Sequence, residues 1–370
     1  MLRPLKLSLL NVSRAAGAFR FVRNTRWRGQ QLLILCYHGV SIDDEHEWGP
    51  GLYMTSDGLA SRFELLRRRG CAVLPLDEAV RRLYEGTLPP RSVALTFDDG
   101  NFDFYSRALP LLKAYQFPAT VYLTTYYCET NLPIFPLVVS YVLWKRRGVE
   151  FTFKLSSRAD VTLDTRSADG RRRGQQALVR FADAEGMSAQ ERDALAARLA
   201  DAVGVDYSGI KRKRLMHLMN KDEVREVARA GVDIQLHTHR HRSPPDEGRY
   251  RAEIAANRER IVALTGSTPR HFCYPSGAWS ARYSNWIRDE RLLSATTCEP
   301  GIASAKDDRF RLPRLLDHSE MTPIEFDAWL SGLGALLPRR SIESHAVDAD
   351  GKPLVGSTTQ HARLSAELRA

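Results

Sequence analysis

Between Gln31 and Leu316 the chain alternates short apolar runs with segments of helical periodicity. The runs are Gln31–Tyr37, Cys71–Leu76, Ser92–Phe97 and Ala119–Thr125, then Val232–His237, His271–Pro275, Leu293–Cys298 and Arg309–Leu316. Runs this short, apolar at consecutive positions, read as strands buried on both faces. Between them, Ser56–Arg69, Leu76–Tyr84, Asp103–Tyr115, Lys221–Ala230, Arg249–Leu264 and Tyr283–Arg291 carry helical patterns, with Ser56 as a candidate N-cap and Gly70 and Gly231 as stops. Parallel neighbours need a helical crossover, so this alternation restricts the chain to a mainly parallel sheet. With seven to eight strands a barrel is more natural than an open sheet. The expected fold is therefore α/β, a distorted (β/α) TIM-like barrel.

The alternation lapses between Thr125 and Arg214, so an insertion at about 126–214 is expected within a barrel spanning 31–337. It contains "FTFKLS", a basic "GRRRG" and one long Ala-rich helical pattern, Gln176–Val203. From 338 to 370 the chain turns polar and is expected to be a disordered tail. The first 30 residues form a basic amphipathic arm. Arg3, Lys6, Arg14, Arg20, Arg23, Arg26 and Arg28 all precede the first acid, Asp43, and Leu5, Leu9, Leu10, Phe19 and Phe21 lie among them. This arm reads either as a solvated terminus or as a peripheral contact with an anionic membrane surface.

The net charge is +10, but the remainder of the chain is only mildly basic, which excludes a globally basic nucleic-acid binder. The apolar start is interrupted by Lys6, Asn11 and Arg14, unlike a secretory signal. The longest apolar segment, Ile134–Trp144, is far shorter than the ~20 residues of a spanning helix and reads as a buried helix. Five cysteines, an odd number without a CxxC, point to free thiols in a reducing compartment. A cytoplasmic or membrane-peripheral location is the expectation.

Asp98 and Asp99 end the Ser92–Phe97 run side by side, before Gly100. Burial and mutual repulsion both oppose such a pair, unless the two acids do different jobs. "HTHRH", His237 to His241, directly follows another run. On a helical turn the four-residue spacing puts His237 and His241 on one side, with His239 pointing elsewhere. One carboxylate and two imidazoles leave positions open on a metal for water and substrate. A His-rich loop alone is as readily incidental; paired with a strand-end Asp-Asp-Gly, it reads as a site.

"TFDDG", then "H-T-x-x-H", then "FCYPSG", in that order, resemble the polysaccharide deacetylases of the NodB-homology type, carbohydrate esterase family four. "ILCYHGV" and "FPATVYL" look like the same family, and the resemblance covers roughly Leu32 to Leu330. It implies that Asp98 is the general base and that Asp99, His237 and His241 hold a divalent metal, usually zinc. A metal-bound water then attacks the amide carbonyl of an N-acylated amino sugar, the carbohydrate partner. It further implies a backbone oxyanion donor at Ser276 and a late general acid, for which His318 is the candidate against a solvated loop histidine.

Departures from the family pattern are equally specific. Cys273 stands where many members have an arginine touching the base, and Ser276 where a tyrosine is common. Arg314 could hold Asp98 or a substrate oxygen, but reads more readily as a surface ion pair. His38 ends the first strand, where a role beside the site competes with simple packing. Trp279 either stacks on a sugar or packs. The implied activity is N-deacetylation of a bacterial polysaccharide or its lipid-linked precursor. The competing reading is a catalytically silent carbohydrate-binding module of the same fold.

Overall fold

The computed structural model describes residues 3–157 and 159–337. The segment expected as a disordered tail lies outside them. Eight strands form one parallel sheet: β1 (Leu33–Tyr37), β2 (Ala72–Val73), β3 (Ser92–Asp99), β4 (Thr120–Leu123), β5 (Asp233–Leu236), β6 (His271–Cys273), β7 (Ser294–Thr296) and β8 (Leu315–Leu316). Their order is β7-β6-β5-β4-β3-β1-β8, with β2 on the start of β3. Before β8 the chain crosses to β7: Leu312 N–H donates to Ala295 O at 2.9 Å and Thr297 N–H to Leu312 O at 3.0 Å. This link curls the sheet into the expected distorted TIM-like barrel. Every residue of β1 is buried, and so is every residue of β3 before Asp99, as strands covered on both faces require.

Some elements differ from expectation, each for a local reason. The strand expected at Arg309–Leu316 shrinks to Leu315–Leu316. Pro313 has no N–H to give a ladder, and the Asp308 carboxylate turns the chain by accepting from Phe310 N–H at 3.0 Å. The Cys71–Leu76 strand shortens because Pro75 sits at the N-cap of the Leu76–Glu85 helix. The long Gln176–Val203 pattern is two helices, Ala168–Ala184 and Ala189–Ala202. Gly186 (φ +59°) ends the first, and a capping box of Ser188 and Glu191 starts the second. Thr55, not Ser56, caps the Ser56–Arg68 helix, accepting from Gly58 N–H.

The insertion holds these two helices and an antiparallel hairpin, Glu150–Lys154 with Asp160–Asp164. Ile134–Trp144 is indeed a buried helix, Phe135–Lys145. The basic arm forms α1 (Arg3–Ala15), α2 (Ala18–Arg23) and α3 (Arg26–Gly29). Leu10 and Phe19 pack with Ala328 of the Pro323–Ser331 helix, and Lys6 Nζ lies 2.8 Å from Glu325 Oε1. Arg28 is fully buried and donates to the carbonyls of Gln31 and Leu330 at 2.9 and 3.2 Å. The five cysteines are free. Among the described residues, no helix is long and apolar enough to cross a membrane.

Candidate active site

Side chains alternate along a strand, so Thr96 and Asp98 of β3 share one face and Phe97 takes the other. Continued alternation would send Asp99 the way of Phe97, which packs on Tyr37 and Phe104. Instead Asp99 has φ +70° and Gly100 φ +85°. Gly100 N–H donates to Asp98 O at 2.9 Å and Thr124 N–H to Asp99 O at 3.1 Å. This turn returns the Asp99 carboxylate to the barrel mouth, so both acids reach it from adjacent positions. Only glycine fits after it: a Cβ at residue 100 would lie 2.3 Å from Leu123 Cδ1.

β5 delivers the two histidines. They converge through a loop, not through the expected helical turn: Thr238 and His241 have φ values of +61° and +56°. The loop is tied down by backbone bonds, His237 N–H to Asn257 Oδ1 at 2.9 Å and Arg240 N–H to Glu253 Oε2 at 2.8 Å. His239 is turned aside, its Nδ1 3.0 Å from Thr125 Oγ1. His237 Nε2 and His241 Nε2 each lie 3.3 Å from Asp99 Oδ1. His237 Nδ1 is 2.9 Å from the Cys273 carbonyl. That carbonyl can only accept, so Nδ1 carries a proton and Nε2 is the ring atom turned to Asp99.

Asp99 Oδ1 is buried with no hydrogen-bond donor. Burial opposes its charge, but the two imidazoles outweigh it and hold its pKa down at about 2. Burial brings His241 down to about 4 against the pull of Asp99. For His237 burial also opposes the charge, yet Cys273 and Asp99 raise its pKa. A buried carboxylate oxygen facing two imidazole nitrogens suits a cation. Donors around a tetrahedral zinc at ~2.1 Å stand about 3.4 Å apart, close to what is seen here. The three residues fit a divalent metal.

Asp98, 2% exposed, belongs to a different cluster. Arg314, completely buried, grips it with two hydrogen bonds, Nη1 to Oδ1 and Nη2 to Oδ2, both 2.7 Å. The guanidinium is aimed by Thr297 O at 2.9 Å and Thr96 Oγ1 at 3.1 Å. The surface ion pair expected of Arg314 is thus a buried, bidentate one. Burial alone would raise the Asp98 pKa; the Arg314 charge and hydrogen bonds hold it well below the usual carboxylate range. Cys36 Sγ and Cys273 Sγ each approach Asp98 Oδ2 at 3.5 Å. Burial pushes both thiols up, which keeps them neutral. The charge absent at position 273 is therefore returned by Arg314, just before β8, whose Nη2 lies 3.0 Å from Sγ of the small Cys273. Other ligand-like groups occur, Cys36 with His38 and Asp98, and Asp98 with His237 and Cys273. Both depend on carboxylate oxygens that Arg314 already occupies.

The remaining expected residues divide. Ser276 lies in a short turn after β6, at φ +59° and ψ +16°, and the mouth-side carbonyls of Tyr274 and Pro275 accept from Gly277 and Ala278. His38 is the histidine set against Asp98, its Nε2 3.8 Å from Asp98 Oδ2. His318 has other company: it follows Asp317, which is pinned by Arg62 at 2.9 Å, and its Nδ1 is buried without a partner. Burial lowers its pKa. One face of Trp279 is covered by the Arg311 guanidinium, 3.7 Å from the ring centre, and its Nε1 donates to Glu299 at 3.1 Å. Packing, rather than an open stacking platform, is what Trp279 does on that face.

Comparison with known proteins agrees with this architecture. The family model described as polysaccharide deacetylase matches residues 85–190 and 194–291, more than half of the chain. The poly-beta-1,6-N-acetyl-D-glucosamine N-deacetylase of Escherichia coli (strain K12) is 32% identical over 95 residues, 25% of this chain and 14% of that protein. The Staphylococcus epidermidis protein of the same name is 35% identical over 72 residues, 20% of this chain and 25% of that protein. The chain thus matches only a small part of either curated relative. Among solved structures, the Streptococcus pyogenes deacetylase PplD in complex with acetate superposes with a TM-score of 0.51 at 18% identity, covering 83% of this chain and 99% of that one. The de-N-acetylase from Aggregatibacter actinomycetemcomitans gives 0.51 at 18%, covering 79% and 97%. These two likenesses establish the shared fold, and with the family match over more than half its length this chain belongs to the polysaccharide deacetylase family.

Proposed function

We propose that this chain hydrolyses the N-acetyl amide of an amino sugar in a bacterial polysaccharide or its lipid-linked precursor. One observation carries the reading: Asp99, His237 and His241 converge beside a second acid, Asp98, that is held apart from them by Arg314. The curated relatives, named for poly-beta-1,6-N-acetyl-D-glucosamine, support this substrate class.

A divalent cation, for which we propose zinc, would be held by Asp99, His237 and His241 and would supply Lewis-acid polarisation and a more acidic water. The protein's own groups do the rest. Asp98 stays ionised because Arg314 neutralises it, and its fixed carboxylate accepts a proton from the attacking water. The Ser276 main-chain N–H, on a turn locked by Gly277, stabilises the oxygen that develops negative charge on the acyl carbon. His38, next to Asp98 and partly open to solvent, is better placed than His318 to return the proton to the departing amine.

The reading is tested by loading the purified chain with zinc and measuring acetate release from β-1,6-linked N-acetylglucosamine oligomers and lipid-linked N-acetyl sugars. Chelation should abolish the release and zinc restore it. Asp98→Asn should keep the metal and lose about 100-fold or more in kcat, the usual worth of a general base. Full activity in that variant would remove Asp98 as base. Wild-type protein that binds no metal would remove the mechanism.

A further inference from the structure

The first helix of the arm has two apolar stripes, and the fold uses only one. At 3.6 residues per turn, Lys6, Leu7 and Leu10 lie on the side packed against the Pro323–Ser331 helix, half-buried or buried. Leu5, Leu9 and Val12 have the i, i+4, i+7 spacing of a second stripe and are 59%, 43% and 63% exposed. The neighbouring helices α2 and α3 also expose apolar side chains, Phe21 at 75% and Trp27 at 39%. Leu336 adds to it from the Leu333–Leu336 helix, which packs on α2. Among the described residues, the large exposed apolar side chains outside this cap are only Val262 and Leu293. A soluble surface has no use for such a concentration, which marks an interaction site.

The charge around it identifies the partner. No acid precedes Asp43. Arg14, Arg20 and Arg26 are exposed and form no ion pair among the described residues. A second copy of the chain would bring the same positive charge to a symmetric contact, which opposes self-association. The segment 338–370 carries five basic and four acidic residues, so it offers no complementary charge. Apolar side chains interleaved with unpaired arginines match an anionic lipid surface, where the apolar groups enter the acyl boundary and the guanidiniums meet phosphates.

We infer that the α1–α3 cap docks this protein peripherally on an anionic bilayer. The position of α1 gives the docking a direction. Arg3 donates to the carbonyl of Glu320, close after β8, so the helix starts beside the mouth end of the barrel. At the other end of the cap Arg28 donates to the carbonyls of Gln31, just before β1, and Leu330, so the cap runs along the flank of the barrel and a bilayer that accepts it would lie on that flank.

Vesicle flotation with the full chain tests this without any need for catalysis, so its result is independent of the proposed activity. Vesicles of phosphatidylethanolamine with phosphatidylglycerol should carry the protein upward, and phosphatidylcholine vesicles should not. Raising the salt should release it. A triple variant, Leu5→Asp with Leu9→Asp and Val12→Asp, should bind at least about tenfold more weakly, as should Arg14→Glu with Arg20→Glu and Arg26→Glu. All six side chains are exposed, so both variants should unfold at the wild-type temperature. Should one fail to fold, the other decides. Wild-type chain that stays below the anionic vesicles, because the tail or a second copy covers the cap, overturns the inference. So does flotation unchanged in the folded variants, or a dimer in light scattering that the apolar variant dissolves.

Discussion

Asp98 and Asp99 are covalent neighbours with separate electrostatic lives. Asp99 is lowered by two imidazoles and Asp98 by one guanidinium, so neither relies on the other's protonation to tolerate burial. Asp98 has a folded pKa below its unfolded value of about 3.9, so its ion pair adds stability above that pH and loses it as pH falls through the folded pKa. Replacing Arg314 tests both consequences. Arg314→Met should leave a buried carboxylate unpaired, destabilise the fold by about 3–5 kcal/mol and move the acid limb of the kcat/KM profile upward. Arg314→Lys should recover part of each effect. Denaturant unfolding and pH–rate profiles would show it, and an unshifted profile in Arg314→Met would deny the arginine any hold on the base. "TFDDG" and "HTHRH" made the acids and imidazoles legible in the sequence. Arg314 was legible only as one of two readings, and the other was favoured because nothing in "RLPRLLD" marks a buried cation. The missing charge at Cys273 was the available signal: a buried carboxylate needs a counter-charge from somewhere, and a strand beside β1 can supply it.

At the scale of elements, the site is made by turns that violate strand and helix regularity. Asp99, Gly100, Thr238, His241, Ser276 and Gly277 all have positive φ. Such positions are invisible to hydrophobic periodicity, which explains why the histidine pair was expected on a helical turn. A four-residue spacing converges on a helix and also across a tight loop. Gly100 should be intolerant of any side chain. Gly100→Ala adds strain at φ +85° and a clash at 2.3 Å with Leu123, so a loss of about 2 kcal/mol is expected, together with weaker metal retention. Calorimetry with metal analysis would measure both, and a variant as stable and metal-replete as wild type would contradict the role given to this turn. The long strands β1 and β3 were legible because whole runs are buried. β2 and β8 were legible as runs but not in their bounds, since nothing in an apolar run beside a proline shows that only two residues pair.

For the molecule as a whole, buried histidines set an acid limit, and His217, which lies outside the candidate site's own groups, is the one to test. It is 4% exposed, and burial lowers its pKa to about 4, against about 6.5 in an unfolded chain. The folded state thus prefers the neutral ring. Its contribution is complete above about pH 6.5 and declines as pH falls toward 4, by up to ~3 kcal/mol. His217→Gln should flatten that part of the stability–pH curve in urea titrations at pH 7 and 4.5; an identical slope would assign the acid sensitivity elsewhere. The barrel closes by joining β8 to β1 and the approach to β8 to β7, and the Arg314–Asp98 pair spans 216 residues across that closure. Without that closure Asp98 would lose its guanidinium, and burial alone would favour its protonated form, which cannot accept a proton. The state of Asp98 therefore depends on closure of the barrel. With Asp98 as the proposed base, a chain whose barrel closure is broken should lose activity before it loses its metal ligands, so activity would double as a readout of closure.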